Sequence, residues 1–231
     1  MKQSNVDRVY SQLKRLAANF EFKPEARINE TALSERLGTS RTPLREALNR
    51  LVAEGFLTFQ NRRGFFCRPL SPSLVLDLYE ARVAVEVEAV RLACERAKDT
   101  EVQELIRALE AGVANGASPT PETLLEQDEA FHIGIARLSQ NAELVRMLEN
   151  LNQRIRYIRL IYLKSRQQPA AMIPPAHREI LNTLLARDAD AAAKAMRKHI
   201  ERRREDAADA VRIAYTQLYV PDAGDFSESR L

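Results

Sequence analysis

Apolar residues recur every three or four positions along most of this chain, and the breaks in that rhythm divide it into elements. Val6, Val9, Leu13, Leu16 and Phe20 predict an amphipathic helix over residues 5–20, ended near Pro24. Ile28, Ala32, Leu33 and Leu37 predict a short second helix that stops at Gly38, the residue type best suited to a left-handed cap. Ser40 stands at the N-cap of a third helix, RTPLREALNRLVAEG, which ends at Gly55. Pro43 is tolerated in its first turn, where amides have no intrahelical acceptor, and Leu44, Ala47, Leu48, Leu51 and Val52 share one face. The period then changes: FLTF and FFCR are two β-type runs separated by QNRRG, a glycine-containing turn of hairpin length.

From Ser71-Pro72 onward no strand signal returns. Helices are predicted at about 72–97, 100–113, 121–138, 141–165, 175–186 and 189–215. Thr100 with Gln103, and Thr120 with Pro121, mark two of the starts, while NGASPT and QQPAAMIPP are the longest breaks. The predicted architecture is therefore mainly α. A winged helix-turn-helix with a small β-hairpin occupies residues 1–70, an all-α bundle of six or seven helices occupies 71–220, and the polar stretch 221–231 is a disordered tail.

Composition adds limits. With 231 residues, 45% of them apolar, the chain can bury a core. No apolar run reaches the roughly 18 to 20 residues needed to span a bilayer, and MKQSNVDRVYSQLKRL lacks the apolar centre of a signal peptide, so a cytoplasmic protein without membrane contact is expected. Cys67 and Cys94 form neither a disulfide framework nor a C-x-x-C pair and are expected as small core residues. The net charge of +3 hides an asymmetry: residues 1–69 hold 13 Lys/Arg against 7 Asp/Glu, leaving 22 against 25 for residues 70–231. A basic module joined to a mildly acidic one points the first at a polyanion.

The basic module carries a constellation suited to double-stranded DNA. Arg41 and Arg45 lie four residues apart, on the helix face opposite the leucine stripe. A guanidinium fork can donate two hydrogen bonds to guanine, Thr42 can reach a phosphate or a thymine methyl, and the helix N-terminus favours phosphate. Arg62 and Arg63 precede Gly64, which gives the hairpin a basic tip for the minor groove. TSRTPLREALNRLVAEGFL followed by NRRGFFCRPL resembles the N-terminal module of GntR-type transcription regulators. The resemblance implies base contacts from Arg41 and Arg45, a phosphate contact from Thr42 and a wing tip at Gly64. Some relatives also use an arginine at the start of the second helix, where this chain has Thr31. Because one reading helix offers few base contacts, a homodimer on an inverted-repeat operator is expected.

The chain has three histidines, and their placement is selective. Asp128 and His132 at i and i+4 can bind one metal ion from one helix face, while His177 and His199 fall in two further predicted helices. The pattern D-x-x-x-H, then H-x-x-I-L, then a small-residue stretch ending in K-H resembles the FCD domain of the FadR branch of GntR regulators. The resemblance implies one divalent metal held by Asp128, His132, His177 and His199, with zinc, nickel and manganese all suited to such a set. It further implies a small organic acid effector bound against that metal with help from Arg82. Arg82 could equally pair with Glu86 one turn on; Arg156, Arg159, Arg178 and Asn182 are possible pocket liners. Arg202, Arg203 and Arg204 are expected on a solvated face.

The expected function is a sequence-specific transcription regulator, a repressor before an activator, whose operator affinity follows effector binding at the metal. Alternatives are a metal-dependent hydrolase, or a regulator with a purely structural or metal-sensing site. There is no H-E-x-x-H or nucleophile elbow, and Glu129 projects about 100° away from the Asp128/His132 face, so no enzymatic activity is expected.

Overall fold

The computed structural model describes residues 4–111, 119–165 and 173–219. The tail expected at 221–231 and most of the two interhelical breaks lie outside the described residues. The chain divides into two compact units, residues 1–71 with those from 214 onward, and residues 72–213.

In the first unit, α1 spans Asn5–Ala18, α2 Glu30–Arg36 and α3 Arg41–Ala53, followed by β1, Leu57–Gln60, and β2, Gly64–Cys67. The Ser4 side chain accepts from the Asp7 amide at 3.1 Å and so starts α1. The helix stops earlier than its apolar stripe predicts, because Phe20 turns into the left-handed region at φ 52° to bring its ring back into the core. Asn29 caps α2 by accepting from the Ala32 amide at 3.1 Å, which leaves Ile28 outside the helix and Leu37 at its end. Gly38, at φ 56°, makes the turn into α3. Ser40 stands before α3 as expected, but its side chain makes no cap hydrogen bond.

Val9, Leu13, Leu16, Leu33, Leu44, Leu48, Leu51, Phe56 and Phe65 close one core beneath these helices. At roughly 1.5 to 3 kcal/mol for each large side chain taken out of water, this is the main term holding so small a unit together. The hairpin pairs Leu57 with Cys67 and Gln60 with Gly64 in antiparallel register. Residues 26–28 add a third, minimal edge: the Ile28 amide donates to the Phe65 carbonyl at 2.8 Å and the Cys67 amide to the Ala26 carbonyl at 2.9 Å. That pairing covers the outer edge of β2, whose Phe65, Phe66 and Cys67 are all buried.

The second unit is helical among the described residues. It consists of α4 Pro72–Arg96, α5 Asp99–Ala111, α6 Pro121–Leu138, α7 Ala142–Ser165, α8 Pro175–Leu185 and most of α9, Ala189–Tyr219. Helix α6 packs on α4, α5 and α7, and α8 on α4 and α5. The Thr120 hydroxyl caps α6 at the Thr123 amide, 3.2 Å, beside Pro121. The reciprocal box expected at Thr100 and Gln103 does not form. Helix α5 begins one residue earlier, and the Lys98 amide donates to Glu101 at 2.7 Å. A methyl group at Gly134 would lie 2.4 Å from Leu105 Cδ1, so the glycine sets how closely α5 approaches α6. Helix α9 presents a stripe of small residues, Ala192, Ala193, Met196, Ala207, Ala210 and Ala214, and keeps polar residues on its other faces. Both cysteines are buried free thiols. No helix among the described residues is long and apolar enough to cross a membrane.

Candidate functional site

Among the described residues eight polar or charged side chains are buried inside the helical unit, against the hydrophobic trend of its core: Arg82, Glu86, His132, Ser139, Asn152, Arg159, His177 and His199. Helical periodicity delivers most of them. Tyr79, Arg82 and Glu86 share one face of α4, Asp128 and His132 one face of α6, and His199, Arg203 and Ala207 one face of α9. Arg159 and Tyr162 come from α7, and His177 from the first turn of α8, stacked flat on Phe131 with centroids 3.8 Å apart.

The four residues singled out in the sequence come together: one ligand atom from each of Asp128, His132, His177 and His199 lies within 4.8 Å of the others. His132 Nε2 is 3.3 Å from His199 Nε2 and 3.6 Å from Asp128 Oδ2, and His177 Nε2 is 3.4 Å from Asp128 Oδ1. Atoms held at about 2 Å from a common ion are separated by roughly 3 to 4 Å, so these three separations suit one divalent metal, and the widest in the set, up to 4.8 Å, would close on binding it.

The surroundings prepare the imidazoles for that role. Glu86 contacts His132 Nδ1 and is itself bound by Arg82 Nε at 2.6 Å, both partners being almost fully enclosed. An ionised carboxylate can only accept, so Nδ1 carries the proton and Nε2 turns its lone pair towards the other donors. Burial would raise the Glu86 carboxyl, but Arg82 and His132 together hold the group below its ordinary range. Burial likewise pushes His132 below the usual imidazole range and His199 down to about 2, keeping both neutral. For Asp128 burial works against ionisation, yet Arg159 and then His132 hold its carboxyl well below the usual carboxylate range. His177 Nε2 is buried and makes no acceptable hydrogen bond, an unsatisfied polar atom of the kind a metal would satisfy.

These donors open on a cavity of about 240 Å³ with mostly apolar walls, among them Leu124, Phe131, Ile158 and Ile200. Arg82 lines it, and its Nη2 is buried without a hydrogen-bond partner. Arg82 thus pairs with Glu86 through Nε, as one sequence reading had it, and also faces the cavity. Of the other possible liners only Arg159 borders the cavity; Arg156, Arg178 and Asn182 do not. Glu129 is turned to Arg156 and Arg159. The expectation that Arg202, Arg203 and Arg204 all lie on a solvated face fails at Arg203, which lines the cavity with its Nη2 3.9 Å from Asp128. The signal was available, since Arg203 is one turn beyond His199.

In the first unit, Arg41, Thr42, Arg45, Arg62 and Arg63 are all exposed, and Gly64 is partly so at φ 92°. Arg41 and Arg45 border a shallow groove with Arg27, Asn29, Glu30 and Thr31. Arg45 Nη1 donates to Glu30 at 2.9 and 3.2 Å, and its guanidinium lies over the Phe65 ring. Arg62 sits in the left-handed region at φ 61°, and the Arg63 guanidinium lies over Phe66. The sequence reading missed Arg27 and Glu30. Arg27 belongs to no periodic pattern and is placed by the pairing of residues 26–28 with β2, while Glu30 opens α2, which packs on α3.

Comparison with known proteins agrees with this division. Residues 5–67 match the family model for bacterial regulatory proteins of the gntR family, and residues 77–202 match the FCD domain. The Nta operon transcriptional regulator of Aminobacter aminovorans is 38% identical over 215 residues, covering 93% of this chain and all of that protein. The HTH-type transcriptional repressor GlaR of Escherichia coli strain K12 is 29% identical over 83% of this chain and 90% of its own length. The solved structure of E. coli McbR/YncC superposes with a TM-score of 0.60 at 26% identity, covering 94% of this chain and 98% of that one. A helix-turn-helix with a small hairpin, then a helical unit, is thus the arrangement of a known lineage: the chain belongs to the GntR family, carries an FCD domain, and is a DNA-binding transcription regulator and not an enzyme.

Proposed function

We propose that the affinity of this regulator for operator DNA is set by a small carboxylate effector bound against a divalent metal ion held by Asp128, His132, His177 and His199. The observation that carries the reading is the convergence of four ligand atoms on a cavity that also presents the unpartnered Nη2 of Arg82. When bound, the ion supplies fixed positive charge and open coordination positions for a carboxylate oxygen; zinc, nickel and manganese all suit an N3O set. Arg82 offers the carboxylate a charge-assisted hydrogen bond, and Glu86 keeps both Arg82 and His132 in place.

Residues 1–70 act as the DNA-reading domain and 71–220 as the sensor, in a cytoplasmic homodimer on an inverted-repeat operator. Arg41 and Arg45 read base edges, Thr42 takes a phosphate, and Arg62, Arg63 and Gly64 form the wing tip. Repression is the proposed sense of control, as for the relative named a repressor. The effector alters operator affinity only by its different binding free energy in the two states, a coupling of about 1 to 3 kcal/mol or roughly 5- to 150-fold.

The test is operator affinity, by fluorescence anisotropy, of metal-stripped protein with metal alone, with candidate acids alone and with both. The proposal expects the full change only with both. A full change with metal alone makes the protein a metal sensor, and no change in any arm makes the site structural.

A further inference from the structure

We infer that the effector carries a second anionic group, held by Arg159 and Arg203, which makes it a dicarboxylate or tricarboxylate and not a simple monocarboxylic acid. This rests on the reading of the site just given and narrows its ligand class.

The charge around the cavity is the first ground. Among the described residues three arginines line it, Arg82, Arg159 and Arg203, with Asp128 as the one acid. Counting Glu86 behind Arg82, and Arg156 with the Glu129 it shares with Arg159, this described set has one positive charge in excess, and a divalent ion would make the excess three. Asp206 is bound by the Tyr162 hydroxyl at 2.5 Å. A monocarboxylate would leave two positive charges in a low-dielectric cavity, which is costly, whereas a dianion or trianion restores balance.

Geometry is the second ground. Arg159 is 8% exposed and borders the cavity, held by Asp128 through Nη2 and, through Nη1, by Asn152 at 3.5 Å and Glu129 at 3.7 Å. Arg203, about a third exposed, brings Nη2 to 3.9 Å from the same Asp128 carboxylate. One carboxylate thus serves two arginines and two imidazoles. Once it is committed to a metal, both guanidiniums lose most of its charge, and Arg159 keeps only a share of Glu129, which Arg156 also holds. Glu86 cannot make up the loss, because Arg82 and His132 already occupy its two oxygens. A ligand whose first carboxylate meets the metal and Arg82 brings its second within the same cavity, with hydrocarbon between them against Ile158 and Ile200.

The experiment titrates full-length, zinc-loaded protein calorimetrically with succinate, with its monoamide succinamate, which has the same shape and one charge fewer, and with glutarate. Succinate or glutarate is expected to bind about 10- to 100-fold more tightly than succinamate, the range of one to two charge-assisted hydrogen bonds. In Arg203→Gln that ratio is expected to fall to within about 3-fold. Arg203→Lys, which keeps the charge, retains most of the ratio. Should Arg203→Gln not fold, the wild-type comparison of succinate with succinamate decides alone. Equal affinity for the two, or a ratio that survives Arg203→Gln, overturns the second anion site while leaving the metal-linked effector intact. Failure of zinc-loaded protein to bind any of the acids overturns both.

Discussion

Arg45 is held on one side by Glu30 and lies over Phe65 on the other. The ion pair is half exposed at the arginine, so it adds little to stability, under about 1 kcal/mol. On the proposed reading it orients a fork for use on DNA. Arg45→Ala is therefore expected to leave the thermal midpoint nearly unchanged while losing roughly 1 to 3 kcal/mol of operator affinity and relaxing base choice at one position per half-site. Equal losses on operator and random duplexes, in anisotropy titrations, would reduce Arg45 to a phosphate contact. Cys67 gives a prediction of a different kind. Burial pushes its thiol up to about 12, against the smaller opposing pull of Arg68. Because the folded value is raised, the stabilisation it carries is complete below the unfolded thiol value and is lost as pH rises through the folded one. Native protein at pH 8 should thus resist a thiol reagent at both buried cysteines, and denatured protein should react at two. Single residues were legible in the sequence where helical spacing linked them to a partner, as Asp128 is linked to His132. Glu30 and Arg27 were not: Glu30 meets Arg45 across 15 residues of chain, and Arg27 shares only the groove it borders. Arg203 was misread because its neighbours in ERRRED suggested solvent, although its spacing from His199 pointed inward.

At the level of elements, the helices could be read from their period because each buries one stripe, and Thr120-Pro121 marked a start that the capping geometry realises. Two features could not be read. The edge formed by residues 26–28 is too short for alternation to register, and the start of α5 depends on whether Glu101 or Gln103 reaches back, a choice made by local rotamers. The candidate centre is an assembly of elements: α6 brings two donors, α8 and α9 one each, and α4 supplies the carboxylate behind His132. Losing one donor should therefore affect metal far more than DNA. His132→Ala and His177→Ala are each expected to abolish stoichiometric metal, measured by elemental analysis of purified protein, and to remove the effector response, with operator binding in the absence of effector preserved. Full metal content with an undiminished response in both variants would return the histidines to the ordinary role of core residues.

For the whole molecule, the asymmetry of charge noticed in the sequence coincides with the division into two units. Light scattering of the free protein is expected to give a species of twice the 26.2 kDa chain mass. A monomer that nevertheless binds its operator tightly would exclude the inverted-repeat reading. The hairpin turn adds a consequence for the molecule's evolution. Arg62 occupies a left-handed conformation that asparagine or glycine adopts at lower cost. Arg62→Asn should raise folding stability by up to about 1 kcal/mol, and on the proposed wing contact it should weaken binding to all duplexes alike and reduce the salt dependence by about one phosphate. An unchanged salt dependence would remove Arg62 from the DNA surface. If the contact holds, a population selected only for heat resistance would drift towards asparagine at this turn and become hardier while losing its grip on the genome.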